Sequence, residues 1–153
     1  MTQMNLNRRA TGLLALAIAC VVISLAYAID NPDAPDYLGE FKSNDKYFQD
    51  KINNPQNTTK EYLAVYDDYL FFLDKELNNA YRLLMAKVPE TQREDLKNSQ
   101  KKWMAFRDAE FEFINNNWTR DNFGSSSVIS RGAYRSSIVK SRVIQLLQYA
   151  SNY

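Results

Sequence analysis

Residues 58–89 read TTKEYLAVYDDYLFFLDKELNNAYRLLMAKVP, and this stretch decides the fold. Leu63, Tyr66, Leu70, Leu73, Leu77, Tyr81, Leu84 and Val88 recur at steps of three or four. That spacing lays one apolar stripe along about seven helical turns. Thr58, with Glu61 three residues on, fits a capping box, in which each side chain satisfies the other residue's free backbone amide. Pro89 ends the run, because the residue before a proline avoids helical backbone. The pattern predicts a helix from about Thr59 to Lys87, roughly 43 Å long at 1.5 Å per residue.

Pro89 also suits the first turn of a second helix, with Glu90 and Glu94 near its positive end. That helix is predicted from about Glu90 to Trp118. Its inward positions are Leu96, Gln100, Trp103, Phe106 or Arg107, Glu110, Phe113 or Ile114, and Trp118, a less apolar set. Three asparagines, Asn115 to Asn117, fray its end, and Asp121 to Ser127, with Gly124 and three serines, reads as a loop. A third long helix is predicted from Ile129 to Ala150, with Ala133, Ile138, Val143, Leu146, Leu147 and Ala150 inward and Gly132 weakening its first turn. No alternating strand pattern and no repeat interrupts this order. The predicted class is all-α: an antiparallel helical hairpin plus a third long helix, a three- to four-helix bundle over residues 58–153.

Residues 29–57 hold three of the four prolines and many Asn and Asp, and read as a polar lead-in. Leu38, Phe41, Phe48 and Ile52 have near-helical spacing and allow one short helix inside it. Residues 1–28 carry Arg8 and Arg9, an apolar run from Leu13 to Tyr27, and Ala26-Tyr27-Ala28 before the polar Asp30. This is the three-part pattern of a signal peptide, and it predicts an exported protein, periplasmic or secreted, beginning near Ile29. Two alternatives stand beside cleavage. One is an uncleaved anchor, although the apolar run is short of the ~20 residues a span needs. The other is lipidation at Cys20, although Val21-Val22-Ile23 keeps the segment apolar after the cysteine.

The chain of 153 residues has a net charge of +1 and no histidine. It therefore has no Ser-His-Asp triad, no Cys–His pair and no imidazole metal site, and neither metal nor cofactor is predicted. The near-zero charge gives no reason to expect nucleic acid. Cys20 is the single cysteine, so the predicted exported domain has no disulfide. Charge is uneven: residues 29–79 hold eleven acids and five bases, residues 80–153 seven acids and twelve bases. Mutual neutralisation of the two halves is the expectation; an acidic face for a basic partner is the alternative.

Asp74, Asn78, Gln100, Arg107 and Glu110 all fall near stripes that should face the core. Asp74 lies 15 residues before Pro89 and Arg107 18 after it, the same level of a hairpin. A guanidinium inside a bundle needs carboxylate and amide partners. The five residues are therefore expected to form a structural polar network, with Asp74 touching Arg107. Asp74 and Glu110 as a general acid and base is the enzymatic alternative. An arginine between them would hold both ionised, and no catalytic residue is predicted. Trp103 and Trp118 are read as core or cap, with sugar-stacking platforms as the alternative, and Tyr69, Phe71 and Phe72 as packing against the third long helix, with an exposed aromatic patch as the alternative.

The motif Asp74-x-Glu76-Leu77-Asn78-x-x-Tyr81, followed by Leu96-x-x-x-Gln100-x-x-Trp103-x-x-x-Arg107-Asp108-x-Glu110, resembles the LprI-type lysozyme-inhibitor family of small exported bacterial helical domains. The resemblance covers about Asp67 to Glu112 and extends weakly to Arg142, which is similar to the family's arginine near the end of its last helix. The chain departs from the family where Phe111 and Tyr134 stand in place of its usual cysteines. The resemblance implies an exported, non-enzymatic protein that binds a protein target, a peptidoglycan-cleaving enzyme. That target is a lysozyme or a competitor's toxin, the latter making this an immunity protein. An envelope interaction or assembly module without inhibitory activity is the alternative. No membrane insertion is expected after cleavage. The predicted contact is Thr119 to Ser127, with Arg120 and Asp121 as charges, Phe123 as apolar anchor and Gly124 allowing close approach. Acidic residues 29–57 are the rival contact.

Overall fold

The capping box at Thr58 forms in the computed structural model, which describes residues 35–153. The Glu61 amide donates to Thr58 Oγ1 at 3.3 Å, and the Thr58 amide donates to the Glu61 carboxylate at 2.7 Å. The helix it opens, α2, spans Thr59–Lys87. Around it lie α1 (Tyr37–Ile52), α3 (Glu90–Asn117), the single-turn α4 (Arg120–Phe123), a 3-10 turn (Gly124–Ser126) and α5 (Ser127–Ser151). Among the described residues there is no strand, and the fold is all-α. The leader 1–28, its Ala26-Tyr27-Ala28 site and Cys20 lie outside the described residues.

The chain runs down α1, up α2, down α3 and up α5. Tyr66 meets Gly132, and further along Leu84 and Val88 share a hollow with Tyr149, so α2 and α5 run parallel. α3 is the connection that returns the chain between them. Its partner is chiefly α5, not the hairpin-mate α2 that the sequence favours. The reason lies in the apolar stripes. Tyr66, Leu73, Leu77 and Leu84 of α2 and Val139, Val143, Leu146 and Ala150 of α5 are buried in one cluster, whereas α3 buries only Gln100 and Ile114. Gly132 does more than weaken a turn: a Cβ there would clash with the Tyr66 ring, so glycine sets how closely α5 approaches α2.

Several core expectations are corrected. Leu63 and Ala133 are exposed, at the ends of their stripes. Phe71 is 76% exposed, while Tyr69 is buried. Phe72 stacks on Phe41 and Phe48 of α1 rather than on the last helix. The short helix allowed in the lead-in is thus α1, which belongs to the same compact unit as the rest and contributes the buried Phe41 and Asp45. Asp45 accepts from the Tyr69 hydroxyl and from Lys140 Nζ at 2.6 Å, and Gln49 Nε2 donates to the Tyr69 oxygen at 2.9 Å. This cluster fastens α1 to both α2 and α5.

Candidate functional site

The five residues expected to form one polar network divide between two places. Arg107 Nη1 lies 3.9 Å from Asp74 Oδ1, but Asp74 is 57% exposed and Arg107 bonds its own neighbour Asp108 at 2.7 Å. The pair is a surface contact, with the Asp74 carboxylate open to solvent on α2. Asn78 donates only to the Asp74 carbonyl of its own helix, at 2.9 Å. Glu110 is half-buried on α3 with no ion-pair partner among the described residues. Gln100 alone is buried, and it faces α5.

There it meets Arg142, which is 7% exposed. Arg142 Nε donates to Gln100 Oε1 at 3.1 Å, Nη1 to Gln145 Oε1 at 2.6 Å and Nη2 to Ser99 Oγ at 3.2 Å. Its guanidinium also lies 5.8 Å from the Trp103 ring centre, with Arg107 at 5.6 Å from the same ring. Burial pushes the Arg142 pKa down. Two turns earlier on the same side, Arg135 covers Phe111 at 4.8 Å with its buried Nε unbonded. Arg142 and Arg135 thus lie against neutral acceptors and rings rather than acids.

The segment Thr119 to Ser127 is not an irregular loop. Thr119 caps α4 by accepting from the Asn122 amide at 3.3 Å. Gly124, at φ +60° and ψ −148°, turns the chain into α5 in backbone that residues with a Cβ avoid. The turn places Phe123 beside Trp118, ring centres 6.2 Å apart. Trp118 also contacts Tyr134 at 4.8 Å and Phe113 at 5.8 Å. Phe113, Phe123 and Tyr134 are each half-exposed, so four rings form one surface cluster. On the neighbouring side, Lys60, Leu63, Arg120, Gly124, Val128 and Arg131 line a hollow of about 420 Å3. Arg131 Nη1 donates to the Trp118 carbonyl at 2.7 Å and ties the cluster to the hollow. Among the described residues no carboxylate lies within 4 Å of Lys60, Arg120 or Arg131. Asp121 is exposed on α4.

The lysozyme inhibitor LprI family model matches residues 51–146. The chain belongs to this family. No curated protein and no solved structure matches it. The match takes in the last two residues of α1, all of α2, α3 and α4, and most of α5. Its motif residues on separate helices converge: Gln100 and Trp103 of α3 close on Arg142 of α5.

Sequence reasoning passed over Phe113, Arg131, Arg135 and Tyr134 as site residues. One signal was available. Residues 127–151 contain four cations and not one acid, so their partners had to come from other elements, as Asp45 does for Lys140, or be neutral acceptors and rings. Among the described residues no helix is long and apolar enough to cross a membrane.

Proposed function

We propose that the protein is exported and inhibits a peptidoglycan-cleaving enzyme, a lysozyme or a secreted toxin, as a binding protein without catalysis of its own. The family match supports lysozyme inhibition in general. The observation that carries the surface is the α4 end: three cations without carboxylate partners around a hollow, flanked by four clustered rings. Glycan-cleaving enzymes hold a pair of carboxylates in an open groove. Arg120, Arg131 and Lys60 supply charge to such carboxylates, and Phe123 with Trp118 excludes water around them. Arg and aromatic side chains are the residue types that most often dominate a protein interface. The enzymatic alternative finds less support, since exposed Asp74 lies beside Arg107 and Glu110 stands apart from the hollow at the α4 end.

The test is inhibition of cell-wall lysis by a variant carrying Arg120→Ala, Asp121→Ala and Phe123→Ala. Potency should fall about thirty-fold, the ~2 kcal/mol of a single hot spot. A folded triple variant that inhibits as well as the parent overturns the surface. The rival acidic contact is checked with Glu40→Gln and Asp50→Asn together, both exposed on α1, which should leave inhibition unchanged. Deleting 29–57 is not a clean alternative, because it strips Phe41 and Asp45 from the core. Export is checked by mass spectrometry of the protein from its native cells. A chain beginning near Ile29 is expected, and one retaining residues 4–28 refutes cleavage.

A further inference from the structure

Arg142 presents an unusual balance. It is buried, yet among the described residues no carboxylate lies within 4 Å of it. A guanidinium has five N–H groups. Three are used, on Gln100, Gln145 and Ser99, all neutral acceptors. One N–H on each terminal nitrogen is left without an acceptor in the chain. Taking a lone ion out of water costs several kcal/mol unless a counter-charge offsets it. A cation held this way is prepared for an anion from outside, and Arg with a free N–H on each end suits a carboxylate in particular.

The outside has access. Arg142 lines a groove between α3 and α5 of about 500 Å3, in the size range of small-molecule sites. Phe106 stands at its rim, 53% exposed, with no aromatic partner among the described residues. Ser141, Gln145 and Gln148 add hydroxyl and amide groups, and Ile138 and Ile144 an apolar lining. One open ring, two amides, hydroxyls and a guanidinium together match a ligand with an apolar ring face, several hydroxyls and one acid. A protein carboxylate would need the guanidinium and little of the rest. We propose that the α3–α5 groove binds a carboxylate-bearing saccharide, its acid on Arg142 and its sugar ring on Phe106.

The site lies apart from the α4 end, and the proposal stands or falls without it. The test is calorimetric titration of the purified protein with four probes: cellobiouronic acid, its neutral counterpart cellobiose, succinate, and a tripeptide with a free C-terminal carboxylate. Cellobiouronic acid should bind saturably. Cellobiose, lacking the acid, should bind at least about tenfold more weakly, the low end for hydrogen bonds to a charged group. Succinate, lacking the ring, should bind as poorly. Phe106→Ala, at an exposed position, should weaken the acidic sugar several-fold without moving the melting curve. Arg142→Lys keeps the charge and removes the fork, and should weaken it further. If that variant does not fold, the probe series and Phe106→Ala still decide. Equal binding of cellobiose, no binding of cellobiouronic acid, or an unchanged Phe106→Ala variant overturns the proposal. Tighter binding of the tripeptide overturns it in favour of a protein terminus.

Discussion

Against α2, α5 buries Val139, Val143 and Leu146 in a continuous apolar cluster with Leu73, Leu77 and Leu84; against α3, it joins Arg142 to Gln100 and Ser99 and stacks guanidinium on rings. The same helix thus carries a dry seam and a polar one. Apolar burial scales with area and is indifferent to direction, so it supplies adhesion. Hydrogen bonds from a guanidinium are directional and lose much of their worth to water, so they fix register and add less stability. The helix that returns the chain between two parallel partners is consequently the one held least firmly, and it is also the one that borders the groove.

Leu73→Ala should break the dry seam. Leu73 is wholly buried, and the variant should lose about 2–5 kcal/mol in urea melts. A loss under about 1 kcal/mol would mean that the α2–α5 seam is not the centre of the fold. Asp45→Ala comes next, at about 2–3 kcal/mol, below the usual cost of breaking a buried pair because Lys140 is partly exposed and can take water. Hydrogen exchange should show α1 opening first in that variant; uniform destabilisation would refute its role as a fastener. Gln100→Leu tests the polar seam directly by removing the Nε acceptor of Arg142, at about 2 kcal/mol. A neutral result would assign Arg142 no structural debt to α3. Arg107→Ala should cost only about 1 kcal/mol, from its contacts with Trp103 and Phe111 rather than its ion pair with exposed Asp74. A loss near 3 kcal/mol would restore the buried pair that sequence spacing suggests.

The smallest effect is that of pH near neutrality. The described residues include no histidine or cysteine, so stability should be flat from about pH 6 to 9. Above that, burial raises the pKa of Tyr69 and of Tyr66 from 10.0, the Asp45 hydrogen bond adding to the shift at Tyr69. Tyrosines that stay neutral longer when folded contribute stability that is full below about pH 10 and is lost as pH rises through their folded values. Melting temperature against pH should therefore hold level and then fall on the alkaline side. A decline beginning below about pH 9 would implicate another group.

The helices were legible in the sequence because their signals are local. The Thr58–Glu61 box and Pro89 fixed both ends of α2, and Pro89 with the asparagines bounded α3. What faces what was less legible, since a stripe says which side is buried and not which neighbour buries it. The 15- and 18-residue offsets from Pro89 do bring Asp74 level with Arg107, but level is not enclosed, and the Asp74 side chain stays exposed. Arg120, Phe123 and Gly124 were visible as a turn with an arginine and a ring. Their companions Trp118, Phe113, Tyr134 and Arg131 come from two other helices, and only tertiary packing assembles them. The Arg142–Gln100 contact spans 42 residues and likewise has no local trace.

The parallel seam also has a consequence in time. Its second half, Ser127–Ser151, leaves the ribosome some seventy residues after its first. Until α5 emerges, the stripe on α2 has no partner of its own kind, and α1 and α3 offer it chiefly rings and polar groups. Contacts so distant along the chain delay closure of the core. The nascent polypeptide therefore stays open while α3 and α4 are being made, which is the state in which a chain can still be threaded through a narrow channel.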